Sequence, residues 1–161
     1  MARGVYTVSG KSQTVVAAPQ MVFVNVGTTV SLQFLRAWVS QNANATSAQQ
    51  GVKTFTKATA FPTLVSATPN PTSVVDQASK ITGGTAGAAG TCGINSSANG
   101  AGTELDIYPD NFNVLNGWLW VPTPADLVIL SASGAQGFGS QFVGTPGTLT
   151  GWTFGIEYAE V

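Results

Sequence analysis

The chain has no histidine, one cysteine and only thirteen charged residues among 161. Charged residues make up 8% of the sequence, against about 25% in an ordinary soluble domain. Catalysis near neutral pH mostly uses histidine, paired carboxylates or an activated thiol, so the composition argues against an enzyme. A surface covered by Thr, Ser, Asn, Gln, Gly and Ala favours assembly or display over chemistry.

Other absences exclude further classes of protein. Cys92 is the single cysteine, so no internal disulfide can form, and we expect synthesis in a reducing cytoplasm. No apolar run approaches the roughly 18 residues that span a membrane, and the first residues lack the apolar stretch of a secretory signal. A sequence pI near 5.0 disfavours a nucleic-acid partner. Length and apolar content predict one domain over residues 1–161.

The few charges are segregated along the chain. Residues 1–80 hold six bases and one acid, whereas residues 81–161 hold six acids and no base. Opposite charges could form complementary surfaces that meet between subunits. Alternatively, the two halves interleave in one sheet and their charges mix, which is the interpretation that we favour.

Short β-branched and aromatic runs, bounded by Gly and Pro, predict strands along most of the chain. The predicted strands cover residues 5–8, 21–26, 31–40, 51–58, 104–108, 117–121, 127–130 and 151–158. In the last of these, Trp152, Phe154, Ile156 and Tyr158 alternate onto one face, whereas both faces of 31–40 are largely apolar. With no helical periodicity, the pattern predicts an all-β fold, an antiparallel β-sandwich and more specifically a jelly roll.

Two segments depart from this pattern. Residues 60–102 contain two charges, one aromatic residue, three prolines and seven glycines, and are predicted to be a long low-complexity loop excursion with one short strand near residues 73–75. The excursion would be either an arm lying on a neighbouring subunit or a mobile surface loop. Residues 1–10 are predicted to be an N-terminal arm.

Acidic residues cluster once, at Glu104, Asp106 and Asp110. Calcium takes six to eight oxygen ligands, but the spacing matches no calcium-loop signature, so the cluster is only a weak metal candidate. Glu104 and Asp106 could also form the carboxylate pair of a glycosidase, for which spacing alone is weak support. No phosphate-loop, zinc or serine-nucleophile motif is present, so we predict no catalytic residue and no cofactor.

Aromatic and basic residues supply candidate contact positions. Trp118 and Trp120 share one face of their predicted strand, which suits either a stacking platform for sugar or protein, or packing in the core. Arg3, Tyr6 and Lys11 lie in or next to the N-terminal arm and are predicted to tether the chain to a partner.

Five blocks of sequence carry a resemblance to a known group of proteins. The chain resembles small β-rich virion proteins of tailed bacteriophages, and the resemblance does not extend to residues 60–102. The blocks are Met1–Thr7, Leu35–Val39, Gln49–Gln50, Phe112–Pro124 and Gly151–Tyr158.

That resemblance implies a virion structural protein that decorates or cements the capsid, and it supplies no catalytic residues. The expected partner is the major capsid protein, with a homo-oligomer, first of all a trimer, and no nucleic-acid or membrane partner. The expected location is the capsid surface, after synthesis in the host bacterial cytoplasm. One alternative is the head domain of a tail fibre or spike that binds host surface glycans through Trp118 or Trp120. Another is a small glycan-acting enzyme that uses Glu104 and Asp106.

Overall fold

The computed structural model describes residues 4–15, 20–43, 46–58, 79–83, 92–95 and 102–161. These residues form strands joined by turns, and they contain no helix that could cross a membrane. The strands are β1 (Gly4–Gln13), β2 (Gln20–Asn25), β3 (Leu32–Gln41), β4 (Gln49–Lys57), β5 (Ser79–Gly83), β6 (Cys92–Ile94), β7 (Glu104–Asn113), β8 (Trp118–Trp120), β9 (Val128–Leu130), β10 (Gly137–Val143) and β11 (Trp152–Glu160).

The strands form two antiparallel sheets that face each other across one apolar core. The first sheet has the order β5-β1-β11-β3-β8, and β9 also pairs with β3 beside β8. The second has the order β6-β2-β10-β4-β7. A single cluster of buried apolar side chains draws members from both sheets. The predicted antiparallel β-sandwich is therefore confirmed.

Strands near the two ends of the described chain alternate between the two sheets. Strands β1 and β3 belong to the first sheet and β2 and β4 to the second, and the alternation resumes at the end of the chain with β10 and β11. The first strand pairs with the last, and the second with the one before it. The jelly-roll assignment stays a prediction, which this order supports.

Aromatic rings from the two sheets meet at the centre of the core. Phe34 of β3 stacks on Phe138 of β10, with ring centroids 4.0 Å apart, and Trp120 of β8 stacks on the same Phe138 at 5.7 Å. Phe142 and Trp152 meet further along, at 4.6 Å. Each fully buried ring contributes about 1.5–3 kcal/mol through the removal of apolar surface from water. These contacts hold the sheets face to face.

A bulge explains why both faces of the 31–40 segment are apolar. The pairing of β3 with β11 shifts register at Leu35, so the side-chain alternation changes face at this point. Phe34 before the bulge and Val39 after it are both buried. Trp38 instead lies on the outer face, where its indole ring takes the place of a side chain at Gly155.

Strand β10 was missed by the sequence analysis because glycines weaken the strand pattern. Gly139 lies between Phe23 of β2 and Phe55 of β4 in the sheet. A Cβ at Gly139 would lie 2.6 Å from Cζ of Phe55 and 2.9 Å from the carbonyl oxygen of Val22. Here glycine makes room for the ring of a neighbouring strand.

The predicted N-terminal arm is wrong from Gly4 onward. Strand β1 lies inside the first sheet, between β11 and β5, because Tyr6 and Val8 contribute buried side chains to the core. The predicted excursion also contains two unpredicted strands, β5 and β6, which extend the two sheets on the same side of the sandwich. The strand expected near residues 73–75 lies outside the described residues.

The two oppositely charged halves of the chain interleave in both sheets. Arg36 of β3 pairs with Glu157 of β11 at 2.8 Å, and Lys53 of β4 pairs with Glu104 and Asp106 of β7. Each ion pair joins a base from the first half to an acid from the second. These contacts agree with the mixing interpretation.

We predict that Gly139→Ala lowers the free energy of unfolding by about 1–3 kcal/mol, because the added methyl group overpacks against Phe55. Gly147→Ala is the matched control, since a Cβ at Gly147 meets no atom within 4 Å, and it should change stability by less than about 0.5 kcal/mol. Urea unfolding followed by tryptophan fluorescence measures both. Equal stability of the two variants would contradict the close packing at Gly139.

We also predict that deletion of residues 1–10 abolishes cooperative unfolding, because it removes most of β1 and opens the core beside Tyr158. Deletion of residues 1–3 leaves β1 whole and serves as the control. Thermal melting followed by near-ultraviolet circular dichroism distinguishes the two. A shortened chain that still melts cooperatively would restore the hypothesis of a dispensable arm.

Candidate functional site

The candidate residues come together mainly on one side of the sandwich. We call this side the β7–β9 rim: β7 is the edge of the second sheet, and β8 and β9 form the edge of the first. It carries Glu104, Asp106, Asp110, Trp118 and Trp120. Tyr6 and Lys11 lie on β1, towards the opposite edge, and Arg3 is outside the described residues.

The three acids of the weak metal candidate do not share one site. Pairing of β7 with β4 shifts register at Ile107, and this bulge separates the faces of Asp106 and Asp110. The indole Nε1 of Trp118 donates to Asp110 Oδ2 at 3.1 Å. Over the residues that the structure describes, no group of three or more His, Cys, Asp or Glu side chains could hold a metal ion. The three acids therefore do not form the single cluster that their spacing in the sequence suggested.

Lys53 occupies the space between the other two acids. Its Nζ lies 2.9 Å from Glu104 Oε2 and 2.6 Å from Asp106 Oδ1, and Gln141 Nε2 donates to Glu104 Oε2 at 2.7 Å. Burial opposes the charge on Lys53, but the hydrogen bonds that its ammonium group donates to Asp106 and Glu104 outweigh this effect and raise the pKa of Lys53 above 10.5. The arrangement of one ammonium group between two carboxylates is that of an ion pair. A glycosidase instead needs one protonated and one ionised carboxyl group.

Trp118 and Trp120 are packed in the core. Their side chains are 8% and 6% exposed, and Trp120 stacks on Phe138. Neither ring face is open to a sugar, so the stacking-platform hypothesis is wrong and the core-packing alternative is confirmed. Leu119 between them consequently points outward.

Tyr6 is also a core residue and offers no surface to a partner. Its ring stacks on Tyr158 at 5.6 Å, and burial together with the nearby Glu160 carboxylate raises the pKa of Tyr6 above 10.0. Among the predicted contact residues of the first strand, Lys11 is exposed.

Cys92 is held as an unreactive thiol. Its Sγ lies 3.9 Å from the hydroxyl group of Tyr158. Burial raises the pKa of Cys92 to about 11, so the thiol is protonated at neutral pH and is a poor nucleophile.

Exposed apolar side chains at the β7–β9 rim were missed by the sequence analysis. Because Trp118, Trp120 and Leu130 face inward, alternation turns the residues between and beside them outward. Leu119 lies opposite Trp38 and Ile129 opposite Gln33, so both lie along the same edge of β3, and the exposed Val121 and Leu127 lie on the chain between them. The row, which we call the apolar row, consists of Leu119, Val121, Leu127 and Ile129. The sequence did contain a signal for this row, because Trp-Leu-Trp and Val-Ile-Leu place apolar residues on both faces of their strands.

A groove opens beside the apolar row. It has a volume of about 590 Å³ and lies between β7 and the segment that follows Trp120. Ile107 and Tyr108 form the β7 wall, and Val121 and Pro122 form part of the opposite wall. Asp126 also lines it, and accepts a hydrogen bond from Thr123 Oγ1 at 2.5 Å.

Comparison of the chain with protein-family models, with curated proteins and with solved structures found no match. The function therefore has to be inferred from the geometry of the rim itself. Its two distinguishing features are the apolar row and the adjacent groove.

We predict that millimolar Ca²⁺ leaves the melting temperature of the protein unchanged, because the Lys53 ammonium group already occupies the space between Glu104 and Asp106. A specific site filled to 100 times its Kd would add about 2.7 kcal/mol of stability, which a thermal melt detects readily. The Asp106→Asn variant, melted in the same buffers, is the control for weak surface binding. Stabilisation by Ca²⁺ that disappears in Asp106→Asn would contradict this prediction.

Proposed function

We propose that the chain is a structural protein of a tailed-phage virion that decorates or cements the capsid through protein–protein contacts. The observation that carries the proposal is the apolar row, in which Leu119, Val121 and Ile129 are 61%, 59% and 55% exposed. Large apolar side chains that lie together on a surface mark sites of protein interaction. The row is also long, because it follows the rim over both β8 and β9.

The low charge of the chain is compatible with this role. A capsid offers many copies of the same docking site, so weak contacts of each copy gain strength through multivalency. A closed homo-oligomer, first of all a trimer, would match a symmetry axis of the shell. The major capsid protein is then the partner, and the capsid surface is the location.

The strand order gives independent support. It is the order expected of a jelly roll, an architecture that viral capsid domains and lectins both use. Burial of Trp118 and Trp120 removes the aromatic platform on which the glycan-binding alternative rested. Capsid decoration is therefore the better supported of the two.

The first test locates the chain on virus particles. Antibodies against the chain, followed by immunogold electron microscopy of particles from cells that carry the encoding genome, should label the heads. Label confined to tails would favour a tail-fibre head domain, and particles without label would overturn the virion assignment.

We predict that the Leu119→Asp, Ile129→Asp double variant loses at least about tenfold in affinity for capsids, equivalent to about 1.4 kcal/mol. Its melting temperature should hold, because both side chains are more than half exposed. Leu149→Asp is the matched control, since Leu149 is also exposed but lies on the loop before β11. Co-sedimentation with capsids stripped of the native chain measures the affinity. Equal binding of the double variant and the control would remove the apolar row from the interface.

A further inference from the structure

The groove at the β7–β9 rim has the form of a binding site for side chains. Tyr108 of β7, which is 45% exposed, lines the groove, and the buried Trp120 reaches it only with the 6% of its surface that is exposed. A volume of about 590 Å³ falls within the range of about 300–1,000 Å³ that is typical of ligand sites. The groove therefore has room for one or two large apolar side chains.

Charge narrows the choice of occupant. Residues 104–126 contain four acids and no base. Lys53 is shared by Glu104 and Asp106, whereas Asp110 and Asp126 make no ion pair within the described part of the chain. Asp126 lines the groove itself. The charge of the groove is therefore complementary to that of a cation.

The main chain of β7 offers little for strand addition. Pro109 has no N–H group to donate, and the bulge at Ile107 bends the strand. Both features are devices that keep edge strands from pairing with other chains. Recognition at this edge has to come from side chains in the groove and not from an extended ladder of backbone hydrogen bonds.

We propose that the groove binds an extended segment of the partner protein in which a lysine or arginine lies next to an apolar side chain. The apolar side chain packs between Tyr108 and Val121, and the cation pairs with Asp126. This inference rests on the proposed function, and it names the chemistry of the capsid segment that docks at the same rim.

A yeast-displayed library of random 12-residue peptides, selected against the whole chain, tests the proposal. Selected peptides should carry Lys or Arg beside apolar residues. The most enriched peptide, synthesised with a fluorescent label, should bind Val121→Asn about tenfold more weakly than the unchanged chain. It should bind Asp126→Asn about three- to fivefold more weakly, with a reduced dependence on salt. Leu149→Asn should bind like the unchanged chain.

Three outcomes would overturn the inference: no enrichment, enrichment of peptides without a base, or equal binding by Val121→Asn and the control. Displacement of the peptide by a host surface polysaccharide would assign the groove to glycans instead. Failure here is distinguishable from failure of the proposed function. If antibodies label the capsids but no peptide is enriched, only the groove inference is overturned. If a peptide binds in the groove but the chain does not bind capsids, only the capsid assignment is overturned.

Discussion

The stacking of Phe138 against Phe34 and Trp120 is the contact on which the arrangement of the rim depends. Phe138 lies on the strand at the centre of the second sheet, and its two partners lie on neighbouring strands of the first. Because Trp120 is drawn inward, the short strand β8 is fixed with Leu119 outward. Leu119 and Val121, on either side of Trp120, line the groove. A three-residue strand with two inward indole rings has to expose the residue between them. The apolar row and the groove are thus consequences of how the core is filled.

A second constraint acts on the outer faces of the sheets, where aromatic rings fill the space that glycines on neighbouring strands leave open. Phe23 and Phe55 flank Gly139 in the second sheet, and Trp38 covers Gly155 in the first. In both places a ring occupies the space that a side chain on the glycine would fill. Phe23 and Phe55 are buried although they are outside the core cluster, whereas Trp38 is partly exposed. The pairs are non-local, and so neither partner carries a recognisable signal in the sequence.

The sequence allowed the fold class to be predicted, because the alternation of residues 152–158 and the absence of helical periodicity are local signals. Trp152, Phe154 and Tyr158 are all buried, as their spacing indicates. Features that depend on pairing between distant strands were not predictable. The bulge at Leu35 reverses the faces of β3, and the one at Ile107 separates Asp110 from the two acids with which it was grouped. Lys53 is 51 residues from Glu104 in the sequence, and only the pairing of β4 with β7 shows that an ammonium group lies where a metal ion was considered.

The rim also shows how a sandwich edge can be open to one kind of contact and closed to another. Pro109, the bulge at Ile107 and the shortness of β8 and β9 oppose the backbone pairing that would join sheets of different molecules without selectivity. Apolar side chains beside them remain available for a contact that depends on shape. Acidic residues at the same edge would repel acidic partners and attract basic ones, and because they are few, their effect is local. A surface with little charge elsewhere can therefore still discriminate between partners, since discrimination requires only that the wrong partner meets an unpaired charge or an unfilled groove.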